Sequence, residues 1–156
     1  MLVKEALTFR ACQATDIIFI ARLSGDAFVE YSSKAVSHTL DMVGRYTTWV
    51  AVRGSEAVGF VAINKEASGV AVLHAIAVVR RERGRGVGFR LMQLFERFAR
   101  EQEATRLELC TAECNLAALD LFYRRGFRLE RRRERFYERG QNGCVLVKDL
   151  EPLPPL

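Results

Sequence analysis

"AIAVVRRERGRGVGFRLM", Ala75 to Met92, passes from an apolar run through three glycines set two apart into apolar residues at helical spacing. That passage predicts a buried strand, a glycine-rich turn, and a helix that begins directly on the glycines. Val87, Leu91, Leu94, Phe95 and Phe98 carry the apolar face of this helix to about Glu103. A P-loop would need G-x-x-x-x-G-K-[ST], and no Lys-Ser or Lys-Thr follows. A dinucleotide fingerprint would need G-x-G-x-x-G after a first strand. Here the third glycine is Gly88, position 89 is Phe, and the preceding strand is the fourth. R-x-x-G-x-G remains, formed by Arg83, Gly86 and Gly88. Glycines at a helix start let several backbone N–H groups converge on an anion, and the helix dipole favours negative charge there. Pyrophosphate is the natural guest; a bare glycine-rich turn is the competing reading.

Outward from this stretch the pattern orders the rest of the chain. "ALTFRAC" alternates as a first strand, and Thr15/Asp16 offer a cap to a helix in "ATDIIFIARLSGDAF". A second helix fits "SSKAVSHTLDMVGRY", and "TTWVAV" with "VGFVAINK" reads as a hairpin around "RGSEA", with Trp49 and Phe60 in its core. "GVAVLHAIAVV" is the fourth strand and "TRLELCT" the fifth. "NLAALDLFYRR" is a helix opened by Asn115, and "GFRLERRRERFY" with "GCVLVKDL" closes the chain as a strand pair. The order β-α-α-β-β-β-α-β-α-β-β predicts an α+β fold, a mixed sheet flanked by helices.

At 156 residues the chain is expected to form a single domain over 1–156. No apolar run approaches the ~20 residues that span a bilayer, and "MLVKEALTFR" lacks the core of a signal peptide, so a cytoplasmic protein is expected. Cys12, Cys110, Cys114 and Cys144 form no C-x-x-C pair, and His38 and His74 lie at no ligand spacing, which argues against a metal site. The tail "EPLPPL" is expected to fray. The net charge is +5 with a pI near 9.3. The lysines are Lys4, Lys34, Lys65 and Lys148, so the charge is mostly arginine, as coding bias alone can produce. Acids interleave with it in "RLERRRERFYERG", which reads as a paired surface rather than a nucleic-acid stripe. A basic nucleic-acid module is the disfavoured rival.

With the fourth strand before it, the glycine stretch resembles the acetyl-CoA-binding motif of the GNAT superfamily of N-acetyltransferases, an apolar strand ending A-V followed by R/Q-x-x-G-x-G/A. "NLAALDLFYRRGF" is similar to that superfamily's N-x-x-A-x-x-x-Y-x-x-x-G-F segment, with Asn115, Ala118, Gly126 and Phe127 in place. The closing hairpin is loosely similar to the ribosomal-protein alanine N-acetyltransferase branch. The resemblance implies a mostly antiparallel sheet splayed between strands 4 and 5, acetyl-CoA as co-substrate, and an amine acceptor. A homodimer is a habit of the family, and no membrane partner is implied. Backbone groups of Ile76 and Val78 would pair with the pantetheine arm. Amides across Arg83, Gly84, Arg85, Gly86, Val87 and Gly88 would hold the pyrophosphate, with Arg81, Arg83 and Arg85 adding charge. Asn115 would bond the cofactor near its thiol end.

Acetyl transfer from a thioester to an amine needs a base, an oxyanion donor, and optionally an acid for the thiolate. The Val78 N–H is placed for the oxyanion. The family tyrosine that acts as acid falls at Phe122, with Tyr123 one place later, and one residue turns a helix by about 100°. A distorted helix end would let Tyr123 act; otherwise Phe122 is core and Tyr123 surface. The glutamate of the alanine N-acetyltransferases falls at Cys110, with Glu108 and Glu113 nearby. "HAIAV" is similar to the "HALAV" of serotonin N-acetyltransferases, which makes His74 a candidate base, with a satisfied core histidine as the plainer alternative. Cys110 would permit an acetyl-cysteine route, but no base is readable beside it. Tyr31, Tyr46 and Tyr137 line an acceptor pocket only if their loops face the cofactor. The departures at Cys110 and Phe122 also admit a CoA-binding regulator without catalysis.

Overall fold

In a computed structural model describing residues 5–151, strands form at β1 (Leu7–Ala11), β2 (Thr47–Arg53), β3 (Glu56–Lys65), β4 (Val70–Val78), β5 (Arg106–Ala112), β6 (Arg128–Arg133) and β7 (Gly143–Asp149). Helices form at α1 (Ile17–Phe28), α2 (Ala35–Arg45), α3 (Val87–Glu101) and α4 (Leu116–Arg124). The element order is the one the sequence predicts. The Pro-rich tail from residue 152 lies outside the described residues. Thr15 and Asp16 do not cap α1: a 3-10 turn over Ala14–Asp16 precedes the helix, and the Asp16 carboxylate takes both Arg10 guanidinium ends at 2.7 and 2.9 Å. A bidentate charge-assisted pair outcompetes one neutral cap bond.

The strands make one sheet in the order β1-β2-β3-β4-β5-β7-β6. All neighbours are antiparallel except β4 and β5, which α3 joins as a crossover. One face buries Leu91, Met92 and Phe95 of α3 and Phe122 of α4 against Ala71, Leu73, Leu107 and Leu109. The other buries Ile20 and Leu23 of α1 against Val50, Phe60, Ala75 and Ala77.

Two departures from regular pairing position the site. On β4, Leu73 faces the α3 side whereas Ala75 faces the α1 side, though they are two residues apart. The cause is a bulge: Ala62 pairs with Ala75 and Ile63 with Leu73, so His74 has no partner on β3. Second, the parallel β4–β5 ladder runs only from Val70↔Arg106 to Leu73↔Leu109. Past that rung β4 stays with β3 and β5 stays with β7, so the sheet splays. His74 and Cys110 are the first residues beyond the last shared rung.

Candidate active site

A groove of about 1920 Å³ opens where the strands part, bordered by the end of β4, the loop into α3, the start of α4 and the end of α1. Ile76, Val78, Arg83, Gly84, Gly86, Gly88 and Asn115 border it. Of the other residues expected to hold a cofactor, Val87 is buried beneath the loop and Arg85 is exposed. α3 begins on Gly86 with no side-chain cap, and its ladder starts with the Arg90 N–H donating to the Gly86 carbonyl. The amides of Val87, Gly88 and Phe89 therefore have no intrahelical acceptor and offer their N–H groups to an anion. Gly84 and Gly86 hold φ of 74° and 86°, which side-chain-bearing residues rarely adopt, and a Cβ at either would meet open space. A Cβ on Gly88 would come within 3.3 Å of Leu121, so glycine there lets α4 close on α3.

The arginines of the loop are already engaged. Arg81 pairs with Glu56 at 2.5 Å, and Arg83 donates from Nε to the Val78 carbonyl at 3.1 Å. Buried Glu82 accepts from Arg53 at 3.0 and 3.3 Å, pinning the 3-10 turn that leads into the glycines. Sequence reading missed this pair, because its members lie 29 residues apart and share no local spacing. Asn115 caps α4, its Oδ1 accepting from Ala118 N at 3.2 Å, which leaves its side-chain N–H groups for a ligand.

At the splay, His74 stacks flat on Tyr46, ring centroids 3.9 Å apart and planes within 2°. Its Nε2 is buried without a hydrogen-bond partner. Burial pushes the imidazole below its ordinary pKa, with Glu66 opposing, so the ring favours its neutral form. Facing it across the gap, the Cys110 thiol is pushed up by burial, with Tyr137, Arg133 and Arg131 opposing. The Tyr137 hydroxyl lies 4.0 Å from Cys110 Sγ, and burial drives it far above its ordinary pKa, so it remains a phenol. Tyr31 meets the Tyr137 ring at 5.3 Å, which brings the α1–α2 turn and the β6–β7 loop together over this end. Glu138 joins the same two loops by accepting from Ser32 and Ser33, a link that sequence reading also missed. Of the three tyrosines proposed for an acceptor pocket, Tyr46, Tyr31 and Tyr137 thus all face the splay or its mouth.

The remaining catalytic candidates are less directly placed. Phe122 is core at 2% exposure, and Tyr123 is 47% exposed on a regular helix while Asp120, Leu121, Phe122 and Arg124 border the groove. Glu108 lies on the Cys110 face of β5 and meets Arg131 at 3.6 Å. Glu113 is held by both ends of Arg132.

Comparison with known families matches residues 18–127 to the acetyltransferase (GNAT) family. Comparison with curated protein sequences gives no match. Among solved structures, Ard1 from Thermoplasma volcanium superposes with a TM-score of 0.85 at 25% identity, covering 94% of this chain and 99% of that one. The ribosomal-protein-S18-alanine N-acetyltransferase from Escherichia coli gives 0.81 at 17% identity, over 96% and 97% of the two chains. A Bacillus subtilis acetyltransferase solved in complex with CoA gives 0.79 at 21% identity, over 94% and 100%.

Proposed function

This chain belongs to the GNAT family of acetyltransferases, and on that premise we propose that it transfers acetyl from acetyl-CoA directly to a primary amine, of a small molecule or of a protein N-terminus or lysine. One observation carries the cofactor part: α3 starts on a left-handed glycine, without a cap, at the edge of a long groove. An uncapped helix start lined by glycine fits a pyrophosphate. The β4 edge past Leu73 has no strand beside it, which suits an extended arm pairing with Ile76 and Val78. Arg83 must release the Val78 carbonyl to let that happen. The bound co-substrate supplies the activated acetyl group; the chain orients it and handles charge and protons.

His74 is the base in this reading. Its neutral, unpartnered Nε2 stands at the splay, where an amine proton would be lost. Glu108, shared with Arg131, would act only through water. The Val78 N–H would serve the oxygen that gains charge during transfer. Tyr123 serves as acid if the end of α4 unwinds toward the groove; otherwise the thiolate leaves unaided, its ordinary pKa being about 8.5.

A second reading, a CoA-binding protein without catalysis, is favoured by Cys110 and Phe122 standing where a carboxylate and a phenol are expected. Acetyl-CoA turnover over a panel of amines and peptides, with CoA affinity measured in parallel, separates the two. We expect transfer to at least one amine. Tight CoA binding with no transfer anywhere would establish the second reading.

A further inference from the structure

The charges around the splay bear on which amine can enter, an inference that rests on the transfer reading above. Cys110, where that chemistry would place a carboxylate, is a half-buried thiol, and its nearest polar neighbour is the Tyr137 hydroxyl. Both groups hold their protons and are neutral. The charges acting on Cys110 are those of Arg133 and Arg131. Arg133 lies over the Phe136 ring at 5.0 Å, at the mouth formed by the β6–β7 loop. The carboxylates on this side are engaged: Glu108 with Arg131, Glu113 with Arg132, and Glu138 with the two serines. On β4, His74 is neutral and covered by Tyr46 from the end of α2, with Glu66 the one acid acting on it. Glu30 and Asp26 border the groove from the end of α1, and Glu30 raises the Tyr31 hydroxyl. The apex is thus neutral with cations behind it, a poor solvent for an ammonium ion.

We propose that the acceptor enters this site as the free base, and that the site therefore selects weakly basic amines, such as α-amines of amino-acid amides and aryl amines, over alkylammonium ions such as a lysine side chain. The proton balance agrees. The amine lone pair forms the C–N bond, the C–S bond breaks with its electron pair going to sulfur, and the proton lost by nitrogen ends on sulfur. His74 need only relay that one proton, so no standing carboxylate is required.

The test compares two lysine amides with the same skeleton, one blocked on the ε-nitrogen and one on the α-nitrogen. At pH 7 the α-amine is free base roughly 200- to 400-fold more often than the ε-amine, and at pH 9 the difference falls to roughly 25-fold. The kcat/KM ratio of the two should follow that fall. Binding of each amide to the CoA-saturated protein, read by NMR titration, should strengthen from pH 7 to 9, far more steeply for the ε-amine. Cys110→Glu should raise use of the ε-amine at pH 7 by about tenfold or more. A pH-independent ratio, pH-independent binding of the ε-amine, or equal use of both amines at pH 7 overturns the inference while leaving acetyl transfer intact. No transfer to either amine, with CoA bound, overturns the transfer reading and this inference with it.

Discussion

His74 owes its chemistry to one irregular hydrogen-bonding step. Without the bulge that leaves it unpaired on β3, strict alternation would hold it in register with Leu73 and Ala75. The bulge instead sets it beside Ala75 at the splay, stacked on Tyr46 and shut away from water at Nε2. Burial disfavours the charged ring, so the folded-state pKa is below the ordinary value and the base stays neutral to a lower pH than a free imidazole would. Activity that depends on it should therefore fall only as pH drops below about 6.5. His74→Gln should lower kcat by about 100-fold and abolish that acid limb. A limb centred above 6.5, or one that persists in the glutamine variant, would remove His74 from the mechanism. The same depression makes the ring a small acid liability for stability: below about 6.5 the unfolded chain takes up the proton more readily than the folded one. Asp16 behaves as the mirror case. Its pKa is lowered first by the Arg10 bond, so its stabilising pair is present at neutral pH and is lost as pH falls through that lowered value.

Among elements, α3 carries function at one end and stability in its middle. Its start offers free amides to the groove, and Glu96, buried 14 Å or so further along by helical rise, ties it to the rest of the C-terminal half. Glu96 accepts from Arg125 at 2.5 Å and from Lys148 at 3.0 Å, and Lys148 also donates to the Arg125 carbonyl at 2.6 Å. Arg125 in turn lies over the Phe89 ring at 4.5 Å. One carboxylate thereby joins α3, the turn after α4, and β7. Glu96→Ala would leave two largely covered cations facing each other, which costs about 2–3 kcal/mol after allowance for their partial exposure. Urea unfolding at pH 7 should show that loss with CoA affinity unchanged, since Glu96 stands away from the groove. A change under about 0.5 kcal/mol would mean that water replaces the carboxylate at no cost. None of this network was legible beforehand. Glu96, Arg125 and Lys148 are far apart in sequence, and each looks like an ordinary surface charge.

Over the whole molecule, what could be read in advance was whatever has a local physical signature. Period-2 runs gave the strands, the spacing from Val87 to Phe98 gave α3, Asn115 gave the cap of α4, and glycines after a buried strand gave the cradle. The bulge at His74, the Cys110–Tyr137 contact and the Glu138 link were out of reach, because each depends on two distant segments meeting. The cap expected from Asp16 failed for the same reason, since Arg10 on β1 competes for its carboxylate. The cradle is thus the best-founded part of the site, and its occupation should be visible in global stability. A ligand bound to the folded state alone adds about 2.7 kcal/mol at a hundredfold excess over its Kd. For a domain of this size that is a rise in Tm of roughly 5–10 °C. Gly86→Glu puts a side chain on a residue at φ 86° and a carboxylate where the phosphates would lie. Its Tm without ligand should drop by only a few degrees, while the rise with CoA should vanish. If the variant keeps the full rise, the pyrophosphate is held somewhere other than the start of α3. If the parent protein shows no rise at saturating CoA, the groove is not a CoA site.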